Sequence, residues 1–325
     1  MFNCHRTALA LLFICSVSWV NFALALFTGY CSRCNIHHTL PTTDEARQAA
    51  FDLRERMIQS GRIDVDELGL RSDYHVEDVN FLQDLDPSLA IERLYERRGK
   101  MFGVLVCQVT ENSQAKCFES GLYNNLSIGD TVILKAYAGK LGGEWNLPGW
   151  APIIGQVPES LPVFCRLRDE VTELFERIET TTSSNVFVEA AVEVKGVTLL
   201  KQKGSIESKV KHLTKKRSRL ATLALDEVRR HQLVTNFRGE SLRPLTAIYS
   251  RGPSKLPGGT GDCAAPKLLA EAARLGLKPT GIAEVFIGAS GGMSTARRDG
   301  VLYDACVERC EQIAGFMLCG LDDVC

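Results

Sequence analysis

Net charge is what this sequence has least of. Its 38 Lys and Arg stand against 39 Asp and Glu, for a net charge of −1. That balance excludes a globally basic nucleic-acid binder, although it leaves room for a local patch. Long apolar runs are missing after the first 27 residues, so no bilayer span is expected beyond that point. Tryptophan is sparse, with three residues, yet 14 Phe and a 45% hydrophobic content supply a core and exclude wholesale disorder. Glycosylation signals are nearly absent; Asn125-Leu126-Ser127 is the one we note, and a single sequon is near chance level. The length of 325 residues fits two domains, or one domain with a large insertion.

Residues 1–27 have the layout of a secretory or targeting leader. Arg6 precedes an apolar run from Ala8 to about Val20, and Ala23-Leu24-Ala25 offers a small-x-small cleavage site. An uncleaved membrane anchor is the alternative. The destination expected is the secretory pathway or an organelle reached through it, a plastid included.

Cysteine is abundant: twelve in all, ten after the leader. An even number in a secreted chain invites a disulfide reading. The clustering argues otherwise. Cys31-Ser-Arg-Cys34 and Cys306-Val-Glu-Arg-Cys310 look like metal or redox pairs, and a bridge between residues four apart on one helix would be strained. Cys31 and Cys34 are followed by His37 and His38. Two Cys and two His in eight residues form a candidate zinc site, but the spacing is too tight for an ordinary Cys2His2 finger.

Along the chain, Thr42 or Thr43 caps an amphipathic helix over 44–60, with Ala46, Ala49, Ala50, Leu53 and Met57 on one side. Residues 28–98 form this acidic, mainly helical region. Residues 99–152 carry two short β-branched runs, MFGVLVCQV and TVILKAYAG, expected as neighbouring strands. Trp145 and Trp150 follow among glycines, placed either to close a core edge or to stack on a flat ligand. Residues 153–255 read as a charged helical insertion, with helices over 164–178 and 205–232. Lys215, Lys216, Arg217 and Arg219 are its densest basic run, a solvated face or a contact for RNA phosphate.

Residues 256–325 are more specific. Gly258, Gly259 and Gly261 lead into Asp262-Cys263, and Pro266 suits the first turn of a helix ending at Gly276. A strand is expected over 282–287, a helix over 303–313 and a strand over 316–321. Cys263 then starts one helix, while Cys306 and Cys310 lie one turn apart on another. Helix starts stabilise thiolates, and three thiolates would leave a zinc ion one open position.

The set Cys263-Ala264-Ala265-Pro266 resembles the metal helix of bacterial toxin-type deaminases, which begins Cys-Ala-Glu-Pro. The resemblance implies an α/β (α+β) fold, a mixed sheet with helices, interrupted here by the charged insertion. It also implies zinc at Cys263, Cys306 and Cys310. Ala265 stands where the family has its proton-shuttling Glu, so conventional deamination is not expected unless Asp262 or Glu284 takes over that role. Asp262 is the local acid nominated.

A second resemblance covers nearly the whole mature chain. The stretches GKMFGVLVCQ (99–108), YAG…W…GWAP (137–152), TNFRGE (235–240), GTGDCAAPKLL (259–269) and CVERC…GFMLCGL (306–321) resemble the long leading region of bacterial RluA-type pseudouridine synthases. The synthase signature Arg-Leu-Asp is missing; Cys165-Arg166-Leu167-Arg168 is the nearest string. The resemblance implies a zinc-binding accessory module with RNA, or an RNA-modifying protein, as partner. Pseudouridine synthesis by this chain alone is not expected. A divergent zinc-dependent deaminase or hydrolase, a redox protein and a non-catalytic scaffold are the alternatives.

Overall fold

The computed structural model describes residues 26–64, 86–96, 98–113, 126–195, 197–240, 242–291 and 297–321; the side chains of 184–204 are not among those described. Residues 1–25 of the leader, the sequon Asn125 and most of the acidic stretch 64–86 lie outside these residues, whereas Leu26 and Phe27, assigned to the leader from sequence, begin the first strand. Among the described residues, no helix is long and apolar enough to cross a membrane.

The fold is mixed α/β, built on one three-stranded sheet. Strand β3 (Lys100–Gln108) lies in the middle, with β4 (Thr131–Tyr137) on one side and β5 (Lys278–Ile287) on the other. Both pairings are antiparallel, with Phe102 opposite Tyr137 and Gly103 opposite Glu284. An earlier hairpin precedes this sheet, formed by β1 (Leu26–Cys31) and β2 (Ile36–Pro41).

Strand alternation divides the core into two layers. Phe102, Val104 and Val106 of β3 and Ala283, Val285 and Ile287 of β5 face one way. Helix α1 (Asp44–Ser60) covers them with Ala46, Ala49, Ala50, Leu53 and Met57, the same residues expected from the sequence. Thr43 caps that helix, its Oγ1 accepting from the N–H of Ala46 at 3.2 Å, and Gly61 ends it at φ 67°. Trp150 fills the same layer, its ring 5.9 Å from Phe102 and 5.4 Å from Tyr137. It therefore closes a core. Trp145 donates from Nε1 to Glu159 at 2.7 Å.

The opposite face carries Leu105, Cys107, Val132, Leu134, Ala136 and Ile282. Two long helices, α2 (Pro162–Lys195) and α3 (Val197–His231), pack against each other and lie in the chain between β4 and the site-bearing half. The face is then covered by α4 (Ala264–Leu275) and α5 (Glu311–Leu318), with Leu268, Leu269, Ala272, Met317 and Leu318 fully buried.

The C-terminal segment differs from expectation. Residues 303–310 are irregular, ending in turns, and the stretch expected as a strand over 316–321 is the end of helix α5 followed by a turn. Among the described residues the sheet is accordingly antiparallel throughout, without the additional strand a mixed sheet would use. Helix α5 buries Ile313, Ala314, Gly315, Phe316, Met317 and Leu318 in succession, so this run carries no polar face.

Hairpin β1–β2 lies directly on α5, and glycines make the approach possible. A Cβ on Gly315 would sit 2.1 Å from the carbonyl oxygen of Tyr30, and one on Gly29 would sit 2.3 Å from the N of Gly315. Gly315→Ala should therefore push the hairpin off the helix, costing about 1–3 kcal/mol as overpacking does. A lowered urea midpoint with an unchanged slope is the expected result.

Candidate metal centre and its pocket

Among the described residues, two groups of side chains could hold a metal ion. In the first, the sulfurs of Cys263, Cys306 and Cys310 lie within 4.8 Å of one another. The structure thus brings together the three cysteines singled out in the sequence, by a route different from the one expected. Cys263 is the N-cap of α4 in extended conformation, and its own side chain makes no capping bond. Cys310 is the N-cap of α5. Cys306 sits in the preceding turn rather than on a helix, with its Sγ 3.3 Å from Cys310 Sγ and 3.5 Å from the Cys310 backbone N.

Two helix starts therefore converge on the trio, where free N–H groups and helix dipoles favour negative sulfur. Hydrogen bonds within the trio hold the Cys306 thiol far below its usual range and push Cys263 and Cys310 up. Three thiolates form a soft donor set with a position left over, which fits a zinc ion keeping an open site.

Beside the thiols lies a cavity of about 670 Å³. Cys263, Cys306, Cys310 and Glu284 line it, together with the bases Arg98, Lys100, Arg297 and Arg309 and the acids Asp304 and Glu308. Glu284 reaches this side because strand alternation turns it there, opposite Gly103, whose missing side chain leaves room. A Cβ at position 103 would meet Ala264 Cβ at 2.9 Å. The Oε1 of Glu284 accepts from the backbone N–H of Ala265 at 3.1 Å. Burial raises the Glu284 carboxyl to about 7, against the opposing pull of that N–H.

Asp262, the acid nominated from sequence, is raised by burial against the attraction of Lys267 and Arg309, and does not line the cavity. Its carbonyl accepts from Gly139 N–H at 2.7 Å. The loop at the far wall is pinned by Asp299, which accepts from Arg54, Tyr95 and the N–H of Gly288. Arg297, two residues earlier, rests over the ring of Tyr303.

The second group is Cys31, Cys34, His38 and Cys319, again within 4.8 Å. Sequence reasoning found the CxxC pair and the two histidines near it. It missed Cys319, which folding brings from 285 residues away to 3.2 Å from Cys34 Sγ. Hairpin alternation buries His38 and leaves His37 outside against Tyr30. Lys215, Lys216 and Arg219 lie on α3, Arg217 rests over the ring of Phe175, and none lines the cavity at the thiols.

Comparisons with protein-family models, curated proteins and solved structures return no match for this chain.

Proposed function

We propose that the chain is a metal-dependent hydrolase of the nucleobase-deaminase type, acting on an anionic, phosphate-bearing substrate. The observation that carries the reading is the placement of Glu284. Its carboxylate enters from β5 and bonds the backbone N–H of Ala265, the position where the resembled deaminases keep their proton carrier. The same carboxylate faces the cavity shared with the three thiols. The glutamate that is absent from the helix is thus supplied by the adjacent strand.

Zinc held by Cys263, Cys306 and Cys310 would act as Lewis acid and lower the pKa of a water. Glu284 would carry two protons in turn, the first from the attacking water to the ring nitrogen and the second from the resulting hydroxyl to the departing amine. A C–O bond forms, the C–N bond breaks and ammonia leaves, so no oxidant or reductant is needed. Arg98, Lys100, Arg297 and Arg309 line the cavity against the carboxyls of Glu284, Asp304 and Glu308, and a substrate phosphate would be met by the four cations. A free nucleotide and an RNA strand share that chemistry, and the basic run on α3 would suit the strand.

The test is ammonia release by the full, zinc-loaded chain from cytosine-, adenine- and guanine-type nucleotides and oligonucleotides. The Cys306→Ala/Cys310→Ala variant serves as control. We expect turnover in one substrate class, abolished in the control together with one equivalent of zinc. A loaded protein that releases ammonia from none of them overturns the reading.

A further inference from the structure

A second group of candidate metal ligands gathers where the two ends of the described chain meet. Its donors come from the β1–β2 hairpin and from the residue that ends α5. Cys31, His38 and Cys319 are buried and Cys34 is half-buried. With four donors within 4.8 Å of one another, three sulfurs and one imidazole, the group has the number and softness of a tetrahedral zinc cage. The turn that carries Cys34 closes back on Cys31. Asn35, just after Cys34, is left-handed at φ 56° and its N–H donates to the Cys31 carbonyl at 2.9 Å, and backbone hydrogen bonds from Arg33 and Cys34 reach the Cys31 sulfur. Such bonds disperse charge on a ligating sulfur. The approach is set independently by the Gly29–Gly315 contact, which brings the hairpin onto the helix.

We propose that Cys31, Cys34, His38 and Cys319 hold a structural zinc ion that clasps the N-terminal hairpin to the C-terminal helix. All four positions are filled by protein, so this ion has no place for water or substrate, unlike the thiol trio. Helix α5 links the two sites. Cys310 caps its start and belongs to the trio, whereas Cys319 follows its end and belongs to the clasp. The eight residues of α5, at about 1.5 Å each, separate them by about 12 Å of helix. The clasp therefore holds one end of the element that presents a thiol to the cavity at the other.

A disulfide is the competing use of the 3.2 Å approach between Cys34 and Cys319. It would leave Cys31 and the buried His38 without the ion that their convergence serves. The test is zinc content of the full chain, compared with Cys34→Ala/His38→Ala and with Cys306→Ala/Cys310→Ala. About two zinc ions per wild-type chain and one in each variant are expected. Loss of the clasp should leave the cavity zinc bound, and loss of the cavity zinc should leave the clasp bound.

Differential alkylation of the wild-type chain keeps the question open to refutation if a variant fails to fold. Cys31, Cys34 and Cys319 should be protected in the zinc-loaded protein and modified after chelation. Cys165, which belongs to neither group, should react alike in both states. Alkylation of all three clasp thiols in zinc-loaded protein, or a mapped Cys34–Cys319 disulfide, overturns the proposal. A wild-type chain that holds only one zinc, and keeps it in Cys34→Ala/His38→Ala, does the same.

Discussion

Glu284→Gln should slow turnover by about 10²–10⁴-fold, the range general acid–base catalysis contributes, while zinc content stays unchanged. The substitution is close to isosteric. The amide oxygen of the substituted side chain could still accept from the Ala265 N–H, so the contact seen at 3.1 Å would persist. What disappears is a group that can hold a proton in one step and release it in the next. Zinc should stay because the ligand set consists of three sulfurs and no carboxylate. Removing a buried group that burial makes reluctant to ionise also adds no unpaired charge, so the fold should tolerate the change. Retained zinc with lost turnover separates proton transfer from assembly of the site. The companion change Asp262→Asn should leave the rate within a few fold, because Asp262 lies outside the cavity lining. A Glu284→Gln chain with unaltered turnover would remove Glu284 from the mechanism.

The contrast between Glu284 and Asp262 shows where sequence reading reached and where it stopped. Helix α1 was legible to the residue, because its buried positions fall on one side and leave the other polar. The strands at 100–108 and 131–137 were legible through β-branched runs bounded by turn residues. Residues 311–318 were not, since a helix enclosed on every side has the same apolar run as a buried strand. The same limit applied to the sites. Cys263 could be grouped with Cys306 and Cys310 because it precedes a recognisable helix start and the other two lie four residues apart, although the helix expected to carry that pair begins only at Glu311. Glu284 could be nominated but not placed, because its value depends on facing Gly103 across a pair of strands distant in sequence. Cys319 carried no local signal at all, since its partners lie at the other end of the chain. His38 was half legible. Once residues 26–41 are known to be a hairpin, alternation alone sends His38 inward and His37 outward.

Lys267 is the side chain whose loss should cost most stability. It is fully buried on α4, and its Nζ donates to the carbonyls of Tyr137 and Gly139, at 3.0 Å each. The ammonium also sits 4.7 Å from the Tyr137 ring centroid. Gly139 in turn donates to Asp262, one residue before Cys263, so the lysine fastens the β4 exit to the start of the metal helix. Lys267→Ala should therefore destabilise the chain by about 3–5 kcal/mol, the range for emptying a large buried position and losing its bonds. Lys267→Met keeps most of the volume and should cost less. The two changes share a second signature. Burial lowers the Lys267 pKa from 10.5 to about 8, against the opposing attraction of Asp262. Between these values the unfolded chain binds more protons than the folded one, so wild-type stability should rise as pH increases from about 8 towards 10.5. Both variants lack the group and should lose that component of the slope. Urea unfolding of wild type and Lys267→Met across that interval, with metal removed by chelation, reads the difference directly. Parallel stability–pH curves would show that the lysine stays charged in the fold, and would assign its role to the two carbonyl bonds alone.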